Sequence, residues 1–474
     1  MNGKRALVVT IAALLLGACA ELPQNEGFDA MAGRVQQQTG QVPRWQRGEE
    51  DAREIREQVQ ALLRQALTAD SVVAIGLLNN RELQMRFEEL DIAFSALRDA
   101  ARLPNPVIGA GQRRGDDFST TDLGIEFNVT ALIWRAPLLR MQNETLKRTQ
   151  ADVADAVMTK AMQLRGAFYT WQAAEQKAEM TQTIASATAA AAQLSARQYQ
   201  AGNTPRRERA RQQAFHAESL LAADQARLRA AAAREQLNRL MSLWGEDTQW
   251  QAQTHLPEAP AALPALAQPE RIALQNSPAI AAAKANLTFY AQALDLTRSS
   301  RFLNLATVGV DYEKQTGEPR EIGPSLSLEL PVFNSGDARV QRQAAQYRQA
   351  EQHLYQLAVD TRSLARESWW RWQATHAVAL HYRRQILPLY QDIVEETQKR
   401  YNGMLDDIYT LLADRRAQVG AGGAYIDALR DFWIAQAQLE HALGTALNAE
   451  NRANHFTQDA ASENPATAAS HEGH

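Results

Sequence analysis

The 474-residue chain contains one cysteine, Cys19, so it holds no internal disulfide and no cysteine-built metal centre. Glycine is sparse as well, at 24 residues, while Ala, Gln, Arg and Leu abound, a balance that favours long helices. Past the N-terminus no apolar run approaches the roughly 18 residues of a membrane-spanning helix. If this chain crosses a membrane, strands must do it. A formal net charge of −4 argues against a nucleic-acid partner. Catalytic constellations are missing too: there is no Gly-rich phosphate loop and no His-Glu-x-x-His helix. His376 and His381 stand five apart, on different faces of a helix, and read as ordinary polar positions. A non-enzyme without a bound cofactor is expected.

What is present begins with Lys4 and Arg5, followed by the apolar stretch Ala6 to Leu16. That is the shape of a secretory signal, too short to span a bilayer as a helix. It runs into Leu16-Gly17-Ala18-Cys19, which resembles a bacterial lipobox, where the thiol is acylated and becomes the new N-terminus after cleavage. Residues 1–18 are therefore expected as a signal peptide and 19–70 as a lipid-anchored N-terminal segment, with a covalent lipid of the palmitate class on Cys19. In similar lipoproteins an Asp after the cysteine favours the inner membrane. Here Ala20 follows, which directs the expectation to the outer membrane.

The body of the chain repeats itself. Trp171-Gln172-Ala173 recurs as Trp372-Gln373-Ala374, an offset of 201; Asn79 and Asn276, Tyr199 and Tyr401, and Leu237 and Leu439 fall at nearly the same spacing. Residues 71–245 and 269–450 are thus read as two structural repeats, joined by a Pro-rich connector, 246–268. Each repeat opens with a helical segment, as from Ile75 to Arg102, and then changes period. Leu123, Ile125, Phe127 and Val129 alternate with polar or small residues, as do Ala306, Val308, Val310 and Tyr312, and Leu326, Leu328 and Leu330. Gly115-Asp116-Asp117 and Gln315-Thr316-Gly317 join the strands as hairpins. The helical period then returns, with Val153, Val157, Ala161, Leu164, Phe168 and Trp171 on one stripe. From about Pro137 to Ala201 the helix would extend roughly 95 Å. It turns at Gly202, and the second repeat turns at Gly403.

Four strands do not close a barrel, and in lipid an open edge leaves backbone groups unsatisfied at several kcal/mol each. Several copies must then contribute strands to one barrel, apolar residues facing lipid and Glu126, Asn128, Asp311 and Glu329 facing water. A soluble sheet with one solvated face is the competing reading. It accounts less well for the lipobox and the paired long helices.

The duplicated hairpin and long-helix pattern, Leu330-Pro331-Val332-Phe333-Asn334-Ser335-Gly336, and Arg400-Tyr401-Asn402-Gly403 followed by Leu411-Leu412-Ala413 resemble the outer-membrane efflux protein family typified by TolC, over roughly residues 70–448. The resemblance implies a mainly α fold with a small transmembrane β part. Long helical hairpins would form an α-barrel, and a homotrimer would assemble a 12-stranded β-barrel in outer-membrane lipid. It further implies a passive exit duct served by a periplasmic adaptor and an inner-membrane RND-type transporter. In the family an acidic ring lies at the periplasmic mouth, which makes Asp406 and Asp407 the gate candidates, with Arg206, Arg207 and Arg209 of a neighbouring hairpin as their partners. The bland alternative is a solvated helix start whose Asp complements the dipole. Tyr401-Asn402-Gly403 is one residue shorter than the Tyr-x-x-Gly of the first repeat.

The tail, 451–474, is rich in small and polar residues and is expected to be disordered. Its His471, Glu472 and His474 are the residue types that ligate Cu or Zn and hint at heavy-metal cargo. Two other functions compete. A periplasmic adaptor lipoprotein also carries a long helical hairpin, but with β-rich domains of sixty or more residues, and a structural coiled-coil lipoprotein leaves the period-2 segments unexplained. The anchor has a direct test. A radioactive fatty acid fed to cells should label the wild type and not Cys19→Ser, and equal labelling of both would exclude Cys19 as the site.

Overall fold

The computed structural model describes residues 26–117, 119–303 and 305–447. The signal segment 1–18, Cys19, and the tail with His471, Glu472 and His474 lie outside them. In chain order the elements are α1 Glu26–Thr39, α2 Glu49–Leu63, α3 Ala69–Asn79, α4 Arg81–Ala101, β1 Val107–Arg114, β2 Ser119–Asn128, α5 Val129–Gln200, α6 Arg206–Met241, α7 Pro269–Asn276, α8 Pro278–Ser300, β3 Ala306–Gln315, β4 Glu321–Leu328, α9 Asp337–His381, α10 Leu387–Asn402 and α11 Ile408–Leu443. The fold is mainly α, with a strand hairpin and long helices in each half. Its described residues divide into two compact units: 26–31 with 86–153 and 278–359, and 32–85 with 154–277 and 360–447.

The first unit carries one antiparallel sheet in the order β1-β2-β3-β4. Its register sorts the alternating residues by face. Ile108, Ile125, Val310 and Pro324 form one cross-strand row and Phe127, Val308 and Leu326 another, while Gly124 faces Asp311 and Glu126 faces Gly309 on the opposite side. A Cβ on Gly124 would stand 2.7 Å from Asp311 Oδ1, so the glycine makes room for the carboxylate.

The strand ends depart from the alternation. Val129 is the first residue of α5 and not the last of a strand, and Pro137, expected at the helix start, lies inside the helix. The reason is local: Asn128 Oδ1 accepts from the Ala131 N–H at 2.9 Å and begins the helix early, as an N-cap side chain does. β4 stops at Leu328, two residues short of Leu330.

In the second unit the repeated tryptophans are both buried. Trp171 meets Trp250 edge-on at 4.8 Å, and Trp372 packs with Phe432, Leu439 and the connector residues Leu256 and Ala259. The connector has no α-helix, only one 3-10 turn at Gly245–Thr248. Side chains take up its backbone carbonyls. Gln172 Nε2 donates to Gln253 O at 2.8 Å and to His255 O at 3.0 Å, Trp433 Nε1 donates to Pro257 O at 2.9 Å, and His376 Nε2 lies 2.7 Å from Pro260 O. His376 is thus a buried clamp on the connector. Between α9 and α10 a π turn, Tyr382–Ile386, precedes Pro388, whose missing N–H and bulky ring a regular turn accommodates poorly.

The turns of the two helical hairpins have matching geometry. After α5, Gly202 has φ +78, with its N–H bonded to Tyr199 O at 3.0 Å and Asn203 N–H to Gln198 O at 2.8 Å. After α10 the left-handed residue is Met404, φ +60, with Met404 N–H bonded to Tyr401 O at 3.0 Å and Leu405 N–H to Arg400 O at 2.9 Å. Both turns therefore place their left-handed residue three after the tyrosine, and Gly403 sits one position early. At 94 % exposure, Met404 has no packing to compensate its strained backbone.

Two outcomes follow. Met404→Gly relieves about 1–2 kcal/mol of left-handed strain, against roughly 0.4–1 kcal/mol of added unfolded-chain entropy. It should raise the thermal midpoint slightly, while Gly202→Ala should lower it. Near the end of α11, burial holds the His441 imidazole below its ordinary value, opposed by Asp155, whose own carboxyl burial pushes up. A histidine depressed in the fold contributes stability that is present above its unfolded value of about 6.5 and is lost as pH falls through the folded one. Thermal scans in that acidic window should show His441→Gln losing less stability than wild type.

Candidate functional site

The sequence places its candidate residues at the tips of the helical hairpins, and the second unit brings the two tips together. Thr204 Oγ1, just past the first turn, lies 3.4 Å from Tyr409 OH, just past the second. Farther along the same pair of helices the Arg416 guanidinium stacks over Phe215 at 4.5 Å.

Asp406 and Asp407 occupy the loop between α10 and α11, and each has a distinct partner. Asp406 accepts from Arg400 Nε at 2.6 Å and from Nη2 at 3.2 Å, a two-pronged pairing across the turn. That bond holds the Asp406 carboxyl below the usual carboxylate range and raises the guanidinium correspondingly. Asp407 is the N-cap of α11: its Oδ1 accepts from Thr410 N–H at 2.7 Å and from the Thr410 hydroxyl at 2.8 Å. These bonds hold its pKa below the ordinary carboxylate value, so the charged cap persists to lower pH than a free aspartate would.

The three expected arginines are placed differently. Arg209 stacks over Tyr199 at 4.2 Å, across the first turn. Arg206 begins α6, and Arg207 follows it. Within the chain, the arginine that meets Asp406 is Arg400. Spacing in the sequence did not single it out, because only the tight turn makes residues six apart neighbours.

The first unit supplies the other candidate surface. Asp122, Glu126, Asp311, Glu313 and Glu321 share the polar face of the sheet, where Arg113 pairs with Asp122 at 3.0 Å. The opposite face is apolar and exposed, including Ile108, Val310, Ile322 and Leu326. Such a sheet keeps one side for water and one for an apolar medium. Among the described residues no helix is long and apolar enough to cross a membrane, and no group of three His, Cys, Asp or Glu is arranged to hold a metal.

No curated protein matches the chain by sequence. Among solved structures it is similar to the CmeC outer membrane channel of Campylobacter jejuni, at 13 % identity and TM-score 0.63 over 85 % of this chain and 89 % of that one. The open state of the Neisseria gonorrhoeae MtrE outer membrane channel matches at 15 % and 0.64, over 81 % and 89 %. The outer membrane protein VceC of Vibrio cholerae matches at 14 % and 0.65, over 83 % and 96 %. Residues 271–445 match the family model described as outer membrane efflux protein. That segment is similar to the outer membrane efflux protein family, and the chain shares the fold of these outer membrane channels.

Proposed function

We propose that this chain is one subunit of the exit duct of a tripartite efflux pump, lipid-anchored through Cys19 and passively conducting cargo across the outer membrane. The observation that carries the reading is the sheet: four strands, two outer edges unpaired among the described residues, and an apolar face exposed along its length. Three copies would close twelve strands, satisfying every edge and turning the acidic face inward. A periplasmic adaptor and an RND-type inner-membrane transporter would supply cargo and energy, in keeping with a sequence that carries no Gly-rich phosphate loop. The carboxylates on the inward face would favour cations over anions. Metal ions are the cargo that His471, Glu472 and His474 suggest by residue type.

At the tips, three copies would gather three Asp406 and three Asp407 around one axis. Arg400 neutralises each Asp406 from within its own chain, and Asp407 is engaged as a cap. Resting closure then depends on the Arg400–Asp406 pair keeping the α10–α11 turn in place, with like charges on neighbouring copies opposing closer approach.

The sheet orientation makes opposite demands on adjacent residues. Leu326→Lys, on the apolar face, should cost roughly 2 to 4 kcal/mol near the midplane and reduce assembled channel, while Ser327→Lys on the polar face should assemble normally, as judged by heat-modifiable oligomers on gels. Equal damage would reject the orientation. For the gate, bilayer conductance of Asp406→Ala should rise at rest and lose block by a trivalent cation added on the periplasmic side. Asp407→Asn keeps a capping oxygen and removes only charge; if resting conductance and block match wild type in both variants, neither residue belongs to the gate.

A further inference from the structure

Three long helices of the second unit leave a cleft where they run side by side. α5 packs on α6 through Ala178, Ala226 and Ala230, and it meets α11 where Lys177 Nζ lies 2.5 Å from Asp427 Oδ2. The lining residues 222, 226, 229 and 233 of α6, and 420, 423, 427 and 430 of α11, recur every three or four positions, so each helix turns one face to the space. Those faces are built of small residues, among them Ala173 and Ala174 on α5, Ala222 and Ala226 on α6, and Gly420 and Gly423 on α11. Short side chains on three neighbouring faces leave the middle unfilled. The opening measures about 620 Å³, within the roughly 300–1,000 Å³ of small-molecule sites. A Cβ on Gly423 would stand 3.2 Å from Met180 Cε, so glycine there leaves room for the polarizable thioether in the floor.

The charges at this cleft do not balance. Lys177, Arg229 and Arg430 line it, against the single carboxylate of Asp427. Asp427 serves two of the three: besides Lys177 it accepts from Arg430 Nη1 at 2.8 Å. Arg430 also pairs through Nη2 with Asp431 at 2.7 Å. The side chains of Lys177 and Arg430 are only 32 % and 31 % exposed, so water screens them incompletely. Both keep N–H donors that the aspartates do not use. Arg229 is exposed and has no ion-pair partner among the described residues. A network serving only to tie helices together would match its charges; this one leaves an apolar-floored cleft positive.

We propose that the cleft between α5, α6 and α11 binds amphipathic organic anions, the apolar body lying over the alanine and glycine floor and a carboxylate or sulfonate head meeting Lys177, Arg229 and Arg430. Fixed cations beside small apolar side chains select that combination of head and body. The assignment of such anions as cargo rests on the exit-duct reading above. Its charge opposes free metal cations, which the carboxylates of the sheet would instead attract.

The test titrates the purified full-length protein calorimetrically with naphthalene-2-sulfonate, with 2-naphthylmethylammonium as the same body bearing a cation, and with inorganic sulfate as a head without a body. Naphthalene-2-sulfonate should bind the wild type, and Arg229→Gln should weaken it about fivefold. Because Arg229 is exposed and unpaired, this substitution leaves the packing of α6 untouched. Asp427→Asn should act in the opposite direction and tighten binding, since it releases Lys177 and Arg430. Sulfate should bind more weakly than the sulfonate, and the ammonium should not bind. Equal affinity in wild type and Arg229→Gln, or an ammonium that binds as tightly as the sulfonate, would overturn the site. Sulfate binding as tightly as the sulfonate would overturn the role given to the apolar floor. In planar bilayers the sulfonate should also reduce wild-type current at concentrations that saturate the site. Calorimetric binding that follows the expected order in a protein that passes no current would instead reject the duct and leave the anion site standing.

Discussion

A β-strand at the edge of a sheet presents a row of N–H and C=O groups with no partner, and this chain has two such edges, on β1 and on β4. In water those groups are solvated; in hydrocarbon each is expensive. The apolar face of the same sheet is exposed, so the surface that favours leaving water belongs to the element least able to do so alone. Under the proposed function, association of several copies would resolve both problems at once, because closure would pair the edges and lipid would cover the face. The long helices carry no comparable conflict: their backbone bonds are satisfied internally, and they can leave the membrane region without penalty.

Duplication is written in backbone geometry more faithfully than in side chains. Gly202 and Met404 occupy the same left-handed position although only one is glycine. The same holds where the returning helices end, at Ser242 (φ 54) and Gly444 (φ 66). Each of these ends meets an asparagine from the start of its repeat: Asn79 Nδ2 donates to Met241 O at 2.9 Å, and Asn276 O would lie 2.9 Å from a Cβ on Gly444. The conserved quantity between the halves is the turn itself. At Met404, whose own side chain is exposed, the left-handed turn is held by backbone hydrogen bonds to Tyr401 O and Arg400 O and not by the residue that occupies it.

This also sets what could be read in the sequence. Strand periodicity and the Trp171 and Trp372 landmarks gave both hairpins and both long helices, because those signals are carried by many residues whose errors average out. The start of α5 was missed by eight residues since one capping side chain, Asn128, outweighed a valine and a proline. Arg400 was invisible as the Asp406 partner because the pairing exists only after the chain reverses. Long periodic elements are legible; contacts made by a turn are not, until the turn is known.

The connector illustrates the converse. Its prolines rule out a helix through residues 257–264, yet the segment is well fixed, because carbonyls that proline cannot tie into a ladder are instead bonded by Gln172, His376 and Trp433. Two of these side chains, Gln172 and His376, lie within a turn of the repeated tryptophans Trp171 and Trp372. A residue pair conserved between halves for packing is thus flanked in each half by a polar side chain that reaches the same connector. The two repeats are joined by a strap that each of them holds, and the packing of the aromatic residues is what positions the groups that hold it.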